Sequence, residues 1–284
     1  MISEISLGTA KVSHDLSSKY DPIFIYFELG DNVYAAQYKG QTILLDVLQN
    51  EYFSLDVDVM EYFQIILSKQ FINKNNCYFL IDTNTTQSKE VEDEYKIGEY
   101  NPGIDPFIKN LLEKNLIQPT TCNKRKNKIA IALDPIGLTQ MEWMPKANNV
   151  VNHTFCRTIE AYLSLIKAHH ALKRFHLKGV LALMDRVNKK YAKKKNNHPE
   201  AHELEKLAQT LDRACIYFPA KTLCLAWACA LTLLMIKRGW KCSFKIGIQT
   251  QPFYAHAWVE SQGMIINDAS SLQQRLAPIL EVDF

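Results

Sequence analysis

From residue 22 the hydrophobic and polar positions alternate with a period of two, which predicts strands at PIFIYFEL (22–29), at NVYAAQY (32–38) and at TILLDVLQNEYFSL (42–55). Gly30-Asp31 and Lys39-Gly40 supply the turns between these three strands of a short antiparallel sheet. The period then changes. Asp56 is placed to cap a helix over 57–67, where Val59, Met60, Phe63, Ile66 and Leu67 recur at helical spacing. A polar stretch without period, 83–103, separates it from a second helix opened by Asp105-Pro106 and carrying Phe107, Ile108, Leu111, Leu112 and Leu116. Sheet first and helices after predicts a small α+β, winged-helix-like domain over residues 1–118.

Residues 119–150 read as a linker, with the basic KRKNK at 124–128, a short strand IAIAL and then Asp134-Pro135. KRKNK has no interleaved aromatics and is read as a solvated loop, so no nucleic-acid partner is expected. The last domain, 151–284, opens with helical stripes at Phe155, Ile159, Tyr162, Leu163 and Ile166 and at Leu177, Val180, Leu181, Met184 and Val187. KKYAKKKNNHP (189–199) breaks them. Residues 219–239 then predict a helix that is apolar on every side and so runs through a core. Thr222 is its candidate N-cap, Lys237 and Arg238 fill its last turn, and Gly239 stops it. KCSFKIGIQT, YAHAWVE and MIIND follow as strands, the last two being arms of a hairpin around 261–263.

With 284 residues and 47% hydrophobic content the chain can bury a sizeable core, which excludes a disordered protein. The net charge of +3 hides an asymmetry: up to residue 118 there are nine Lys, no Arg and eighteen acids, so the remainder is strongly basic. The first residues lack a basic and then apolar signal pattern, and the longest apolar run, 223–236, is short for a bilayer, so a cytoplasmic protein without a membrane span is expected. Seven cysteines without CxxC spacing argue against a disulfide framework, and neither they nor His169, His170 and His176 have the spacing of a metal site.

Chemistry concentrates near the C-terminus. Cys224 falls in the first turn of the apolar helix, where free N–H groups and the helix dipole favour a thiolate, although a cysteine there also suits plain core filling. Cys229, mid-helix, reads as core. If the hairpin loop spans three residues and ends on Gly263, Glu260 faces Met264 and His256 faces Asp268; a two-residue loop would put His256 and Asp268 on opposite faces. A thiol, an imidazole and an orienting carboxylate are the parts of a cysteine nucleophile triad.

CLAWACALTLLMIKRGW, KIGIQTQPFYAHAWVE and IIND closely resemble the leader peptidases of lasso-peptide biosynthesis, which have a transglutaminase-like, papain-type cysteine peptidase fold. ILLDVLQNEYFSLD resembles the RiPP recognition element, which takes a leader peptide as an added strand on a sheet edge. The resemblance implies Cys224 as nucleophile, His256 as general base and Asp268 as its partner, with Ile43, Leu44, Leu45, Tyr52, Phe53, Leu55 and Phe63 toward the leader. One departure is visible, because Trp227 stands where the family usually has an arginine. The resemblance also implies a lasso precursor and an asparagine-synthetase-like lasso cyclase as partners. It implies dependence on ATP through that cyclase, no cofactor-binding motif such as a Walker A loop being visible in this chain. A transglutaminase-like acyltransferase or amidase and a non-catalytic precursor chaperone are the rival expectations.

Overall fold

The computed structural model describes residues 2–5, 23–74, 76–81, 101–121, 129–132, 137–138, 155–192 and 198–284; KRKNK and most of the expected linker lie outside them. The chain divides into two compact units, one of residues 1–35, 40–46 and 51–129, the other of residues 36–39, 47–50 and 130–284.

The first unit holds β1 (Ile2–Ile5), β2 (Ile23–Leu29), the first half of β3 (Val33–Tyr38), β4 (Gln41–Asp46), β5 (Glu51–Leu55), α1 (Val57–Ser68), β6 (Phe71–Lys74), β7 (Cys77–Leu80), α2 (Ile104–Glu113) and β8 (Ile117–Thr120). What reads as one long strand over 42–55 is two. Residues 47–50 turn the chain, with Asn50 in the left-handed region at φ 58°, and β4 pairs back on β5 with Leu44 opposite Phe53. A parallel β1 lies on the other side of β5. A second sheet, in the order β7-β6-β2-β8, contains the hairpin 71–80 that the sequence reading omits. Strands and helices therefore alternate after α1, where the sequence predicts all strands before all helices. Phe27, Phe53, Leu55, Val59, Phe63 and Phe107 fill the core. Asp105 is buried with them in the first turn of α2, where its carboxylate accepts hydrogen bonds from the Tyr78 backbone N–H and the Lys109 ammonium, both at 2.9 Å.

The second unit contains β9 (Ala130–Ala132), α3 (Phe155–Tyr191), α4 (Ala201–Ile216), α5 (Cys224–Arg238), β10 (Ser243–Thr250), β11 (Phe253–Ser261), β12 (Met264–Ile265), α6 (Leu272–Arg275) and β13 (Ala277–Asp283). The sheet order is β12-β11-β10-β13, and the pairings within it are antiparallel. α5 is the central rod: every residue from Ala226 to Ile236 is buried, and α3, α4, β10 and β11 pack around it. Gly239 closes it in the left-handed conformation, while Arg238 reaches back to Glu160 of α3 at 2.8 Å. Among the described residues no helix is long and apolar enough to cross a membrane.

On α3 the helix is as predicted but the buried face is not. Ile159, Leu163 and Ile166 are exposed, whereas Ala161, Ser164, Leu165 and Ala168 are buried. Both stripes have helical spacing. Small residues let α3 approach α5 closely, and the larger apolar residues are left outside. Leu177, Val180 and Met184 do turn inward as expected.

His176 interrupts α3 at φ 53° and ψ −151°, a region that essentially only glycine occupies without strain, and its side chain is exposed. Replacing it removes little packing. His176→Gly should stabilise the second unit by about 1 kcal/mol and raise its melting temperature by a few degrees, since such strain costs roughly 1–3 kcal/mol and glycine returns part of that as chain entropy. Thermal unfolding followed by circular dichroism checks this; an unchanged or lower midpoint contradicts it.

Candidate active site

The sequence places its three chemical residues on a helix start and on the two arms of a hairpin, and the fold brings all three together. α5 begins at Cys224 itself, one residue after an N-cap that is Leu223, not Thr222. No side chain caps this end, and the backbone N–H of Trp227 makes the first helical bond, to the Leu223 carbonyl at 3.0 Å. The N–H groups of the first turn thus have no helical carbonyl of their own to bond. The chain is exposed at Leu223 and enters the core one turn later.

His256 comes from the middle of β11, 2% exposed, and Nε2 lies 2.7 Å from Asp268 Oδ2. Nε2 is committed to the carboxylate, and the His256 side chain acts on the ionisation of the Cys224 thiol through its charge and hydrogen-bonding capacity. Asp268 Oδ1 accepts the N–H of Ala269 at 2.7 Å, so both carboxylate oxygens are held.

This His–Asp contact is not the cross-strand pair that the sequence suggests. β11 and β12 pair Glu260 with Ile265 and Ser261 with Met264, one residue off the expected register. The loop has two residues, Gln262 at φ 53° and Gly263 at φ 76°, and two successive left-handed residues match the twist of a tight hairpin. A continued ladder would set residue 268 opposite Ala257, on the other face of the sheet from His256. Instead pairing ends at Ile266, whose N–H bonds the Val259 carbonyl, and Asn267 turns the chain at φ 58°, delivering Asp268 from a bend.

Aromatic rings fix the imidazole plane. Tyr254, His256 and Trp258 project from one face of β11 and stack, with ring centres 6.0 Å and 6.2 Å apart and planes within 13° and 18°. Space for Trp258 comes from Gly247, which pairs with His256 across the sheet: a Cβ there would sit 2.7 Å from the indole. The indole N–H of Trp258 donates to Glu260 Oε1 at 2.7 Å, and Lys245 holds the other oxygen of that carboxylate at 3.0 Å.

Electrostatics separate Cys224 from its neighbours. Burial pulls hardest on its thiol and would raise it, but the His256 hydrogen bond, the imidazolium charge and the N–H groups of Ala257 and Leu225 carry it below the ordinary thiol value. Burial likewise opposes a charged His256; the bond to Asp268, then that to Cys224 and both charges, outweigh it and lift the imidazole to about 9. Tyr254 is pushed up to about 12 by burial and by the charges of Cys224 and Asp268, so it stays a neutral phenol. In contrast burial drives Cys215 and Cys242 up to about 12, and Cys229 rises too, fully enclosed in α5. The Cys224 thiol is thus lowered where Cys215, Cys229 and Cys242 are raised, and it lies on a helix N-terminus whose N–H groups can receive an oxyanion.

The residues expected to meet a leader peptide lie elsewhere. Leu44, Phe53, Leu55 and Phe63 are core side chains of the first unit, and Ile43 and Leu45 are buried as well, so these six cannot line a docking surface; only Tyr52 is partly exposed. The resemblance that suggested them marks these elements, but four of the seven side chains are turned into the unit's own core. Two residues near the triad escaped sequence reading. Asp212 of α4, 3% exposed, accepts from the Trp227 indole N–H and from the Asn267 amide, each at 2.8 Å. Trp227, at the position where the resemblance leads one to expect arginine, thus keeps a donor there. Among the described residues no three His, Cys, Asp or Glu side chains stand where they could hold a metal ion.

Over 127 residues, 45% of this chain, the sequence is 28% identical to the Microcin J25-processing protein McjB of Escherichia coli. The chain covers 60% of the length of that relative. No solved structure matches. Residues 170–281, which include Cys224, His256 and Asp268, match the model of the transglutaminase-like superfamily, and the C-terminal part of the chain is a transglutaminase-like domain.

Proposed function

We propose that this chain is a cysteine peptidase that removes the leader from a lasso-peptide precursor. The reading rests on one observation: a thiol at an uncapped helix N-terminus, its ionisation coupled to an imidazole whose Nε2 is held 2.7 Å from a carboxylate. The likeness to a protein named for processing microcin J25 supports it.

In the proposed reaction the Cys224 thiolate attacks the scissile carbonyl carbon, and the oxygen, now an anion, is received by N–H groups at the start of α5. His256, held protonated by Asp268, gives its proton to the leaving amine as the C–N bond breaks. The amine is the new N-terminus of the core peptide. Neutral His256 then takes a proton from water, whose oxygen attacks the thioester, releasing the leader as a carboxylate and restoring the thiolate and imidazolium. Tyr254 and Trp258 keep the ring in plane through both steps.

The N-terminal unit is assigned the leader, taken along a strand edge by main-chain hydrogen bonds. Linking binding and cutting on one chain raises the local concentration of the scissile bond, so the peptidase site itself can bind weakly. An asparagine-synthetase-like cyclase is the proposed consumer of the freed core, and ATP dependence enters through it.

The experiment is incubation with a lasso precursor, with and without cyclase and ATP, read by mass spectrometry. Free leader and linear core are expected with the wild-type chain and an intact precursor with Cys224→Ala; amine-joined products would favour the acyltransferase, and maturation supported by Cys224→Ala would favour the chaperone. An intact precursor in every mixture overturns the peptidase. Asp268→Asn should cut turnover roughly 10²- to 10⁴-fold, as in related triads.

pH dependence has a defined sign. The His256 pKa is raised on folding, so its contribution to stability is complete below the ordinary imidazole value near 6.5 and is lost as pH rises through about 9. Turnover should rise with thiolate formation and fall near pH 9. Iodoacetamide should label Cys224 at neutral pH ahead of Cys215 and Cys242. In Asp268→Asn the onset of labelling should move up in pH and the descending limb of turnover should move down; equal labelling of all three cysteines contradicts the ion pair.

A further inference from the structure

A carboxylate that is not part of the triad touches both halves of its support. Asp212 lies on α4 with its side chain buried, and each oxygen is used differently: Oδ1 takes the indole N–H of Trp227 and Oδ2 takes the amide of Asn267. Trp227 is the residue that closes the first turn of the helix bearing Cys224. Asn267 directly precedes Asp268 and holds the left-handed conformation that aims the next carboxylate at His256. One side chain therefore ties the nucleophile's turn to the bend that carries the orienting carboxylate.

The two ties are needed because neither feature is fixed by the sheet. The β11–β12 ladder has ended before Asn267, so no strand pairing sets the position of Asp268. α5 is fully enclosed beyond its first turn, but its first turn has no side-chain cap. A buried carboxylate with two neutral donors is a demanding arrangement, since an anion out of water keeps its bonds short and directional. It resists displacement of either donor, which is what a clamp between two loosely held elements requires.

We infer that Asp212 is a positioning residue, setting the distance between the Cys224 thiol and the His256–Asp268 pair. The inference rests on the triad proposed above but not on the identity of its substrate. Asp212→Asn keeps the shape but removes the charge and one acceptor oxygen, so the pair of charge-assisted bonds that clamps Trp227 and Asn267 is lost. Asn267→Gly removes the second tie alone and tolerates the left-handed backbone. Trp227→Phe removes the first.

The test uses the full chain and two readouts. Iodoacetamide labelling of Cys224 against pH, followed by mass spectrometry, needs no substrate; cleavage of a lasso precursor gives kcat and KM. For Asp212→Asn the onset of labelling should shift upward in pH, in the direction of Asp268→Asn, and kcat should fall about 10- to 100-fold with KM within about threefold, the scale expected of a small misplacement of catalytic groups. Asn267→Gly should show the same direction, and it serves as the test if Asp212→Asn does not fold. Wild-type labelling and kcat in a folded Asp212→Asn or Asn267→Gly variant overturns the inference, as does a loss that only follows a lowered melting temperature. Failure of the wild-type chain to cleave, with the labelling shift intact, would instead overturn the peptidase and leave Asp212 in place.

Discussion

The hydrogen bond between His256 Nε2 and Asp268 Oδ2 is the constraint on which the chemistry of the second unit depends. Without it a buried imidazole would be neutral, because burial alone lowers its affinity for a proton. A neutral ring would withdraw the charge that holds the Cys224 thiol down, and the thiol would be left to the burial that raises the other enclosed cysteines. The bond also commits Nε2 to the carboxylate. One contact thus sets the tautomer, the charge of the ring and the ionisation of a group on another element.

Much of the fold around that contact exists to keep it in one geometry. β11 supplies a flat row of rings, Gly247 on the neighbouring strand leaves room for the Trp258 ring of that row, and Glu260 with Lys245 anchors the far end. α5 meets this row end-on. Its unbroken apolar surface, enclosed by α3, α4 and the sheet, leaves the nucleophile little freedom to rotate or slide.

How much of this could be read from the chain depends on whether a feature is local. The body and C-terminal end of α5 were legible because their signals are neighbours in sequence, an apolar run, two basic residues and a glycine, whereas its N-cap was set one residue early, at Thr222 instead of Leu223. The triad residues were legible as chemistry, yet the register joining two of them was not, since a hairpin of two or three residues differs only in the backbone of Gln262 and Gly263. The buried face of α3 was misjudged because residue size favoured one stripe while close packing on α5 required the other. Asp212 gave no signal at all, as its partners stand 15 and 55 positions away. In the first unit alternation identified strands, but the resemblance that pointed to a leader-binding edge could not tell which side chains the unit's own core takes up.

The early end of the β11–β12 ladder has a consequence for how this site can change over time. A carboxylate fixed by strand register can move only in steps of two residues, and any odd insertion would turn it to the wrong side of the sheet. A carboxylate delivered by a bend has no such quantum. The segment between Asp268 and α6 could lengthen, shorten or swap its side chains without disturbing the strands that carry the imidazole. Descendants of this sequence thus have a place to vary beside the reactive centre, while the sheet and the central rod remain as they are.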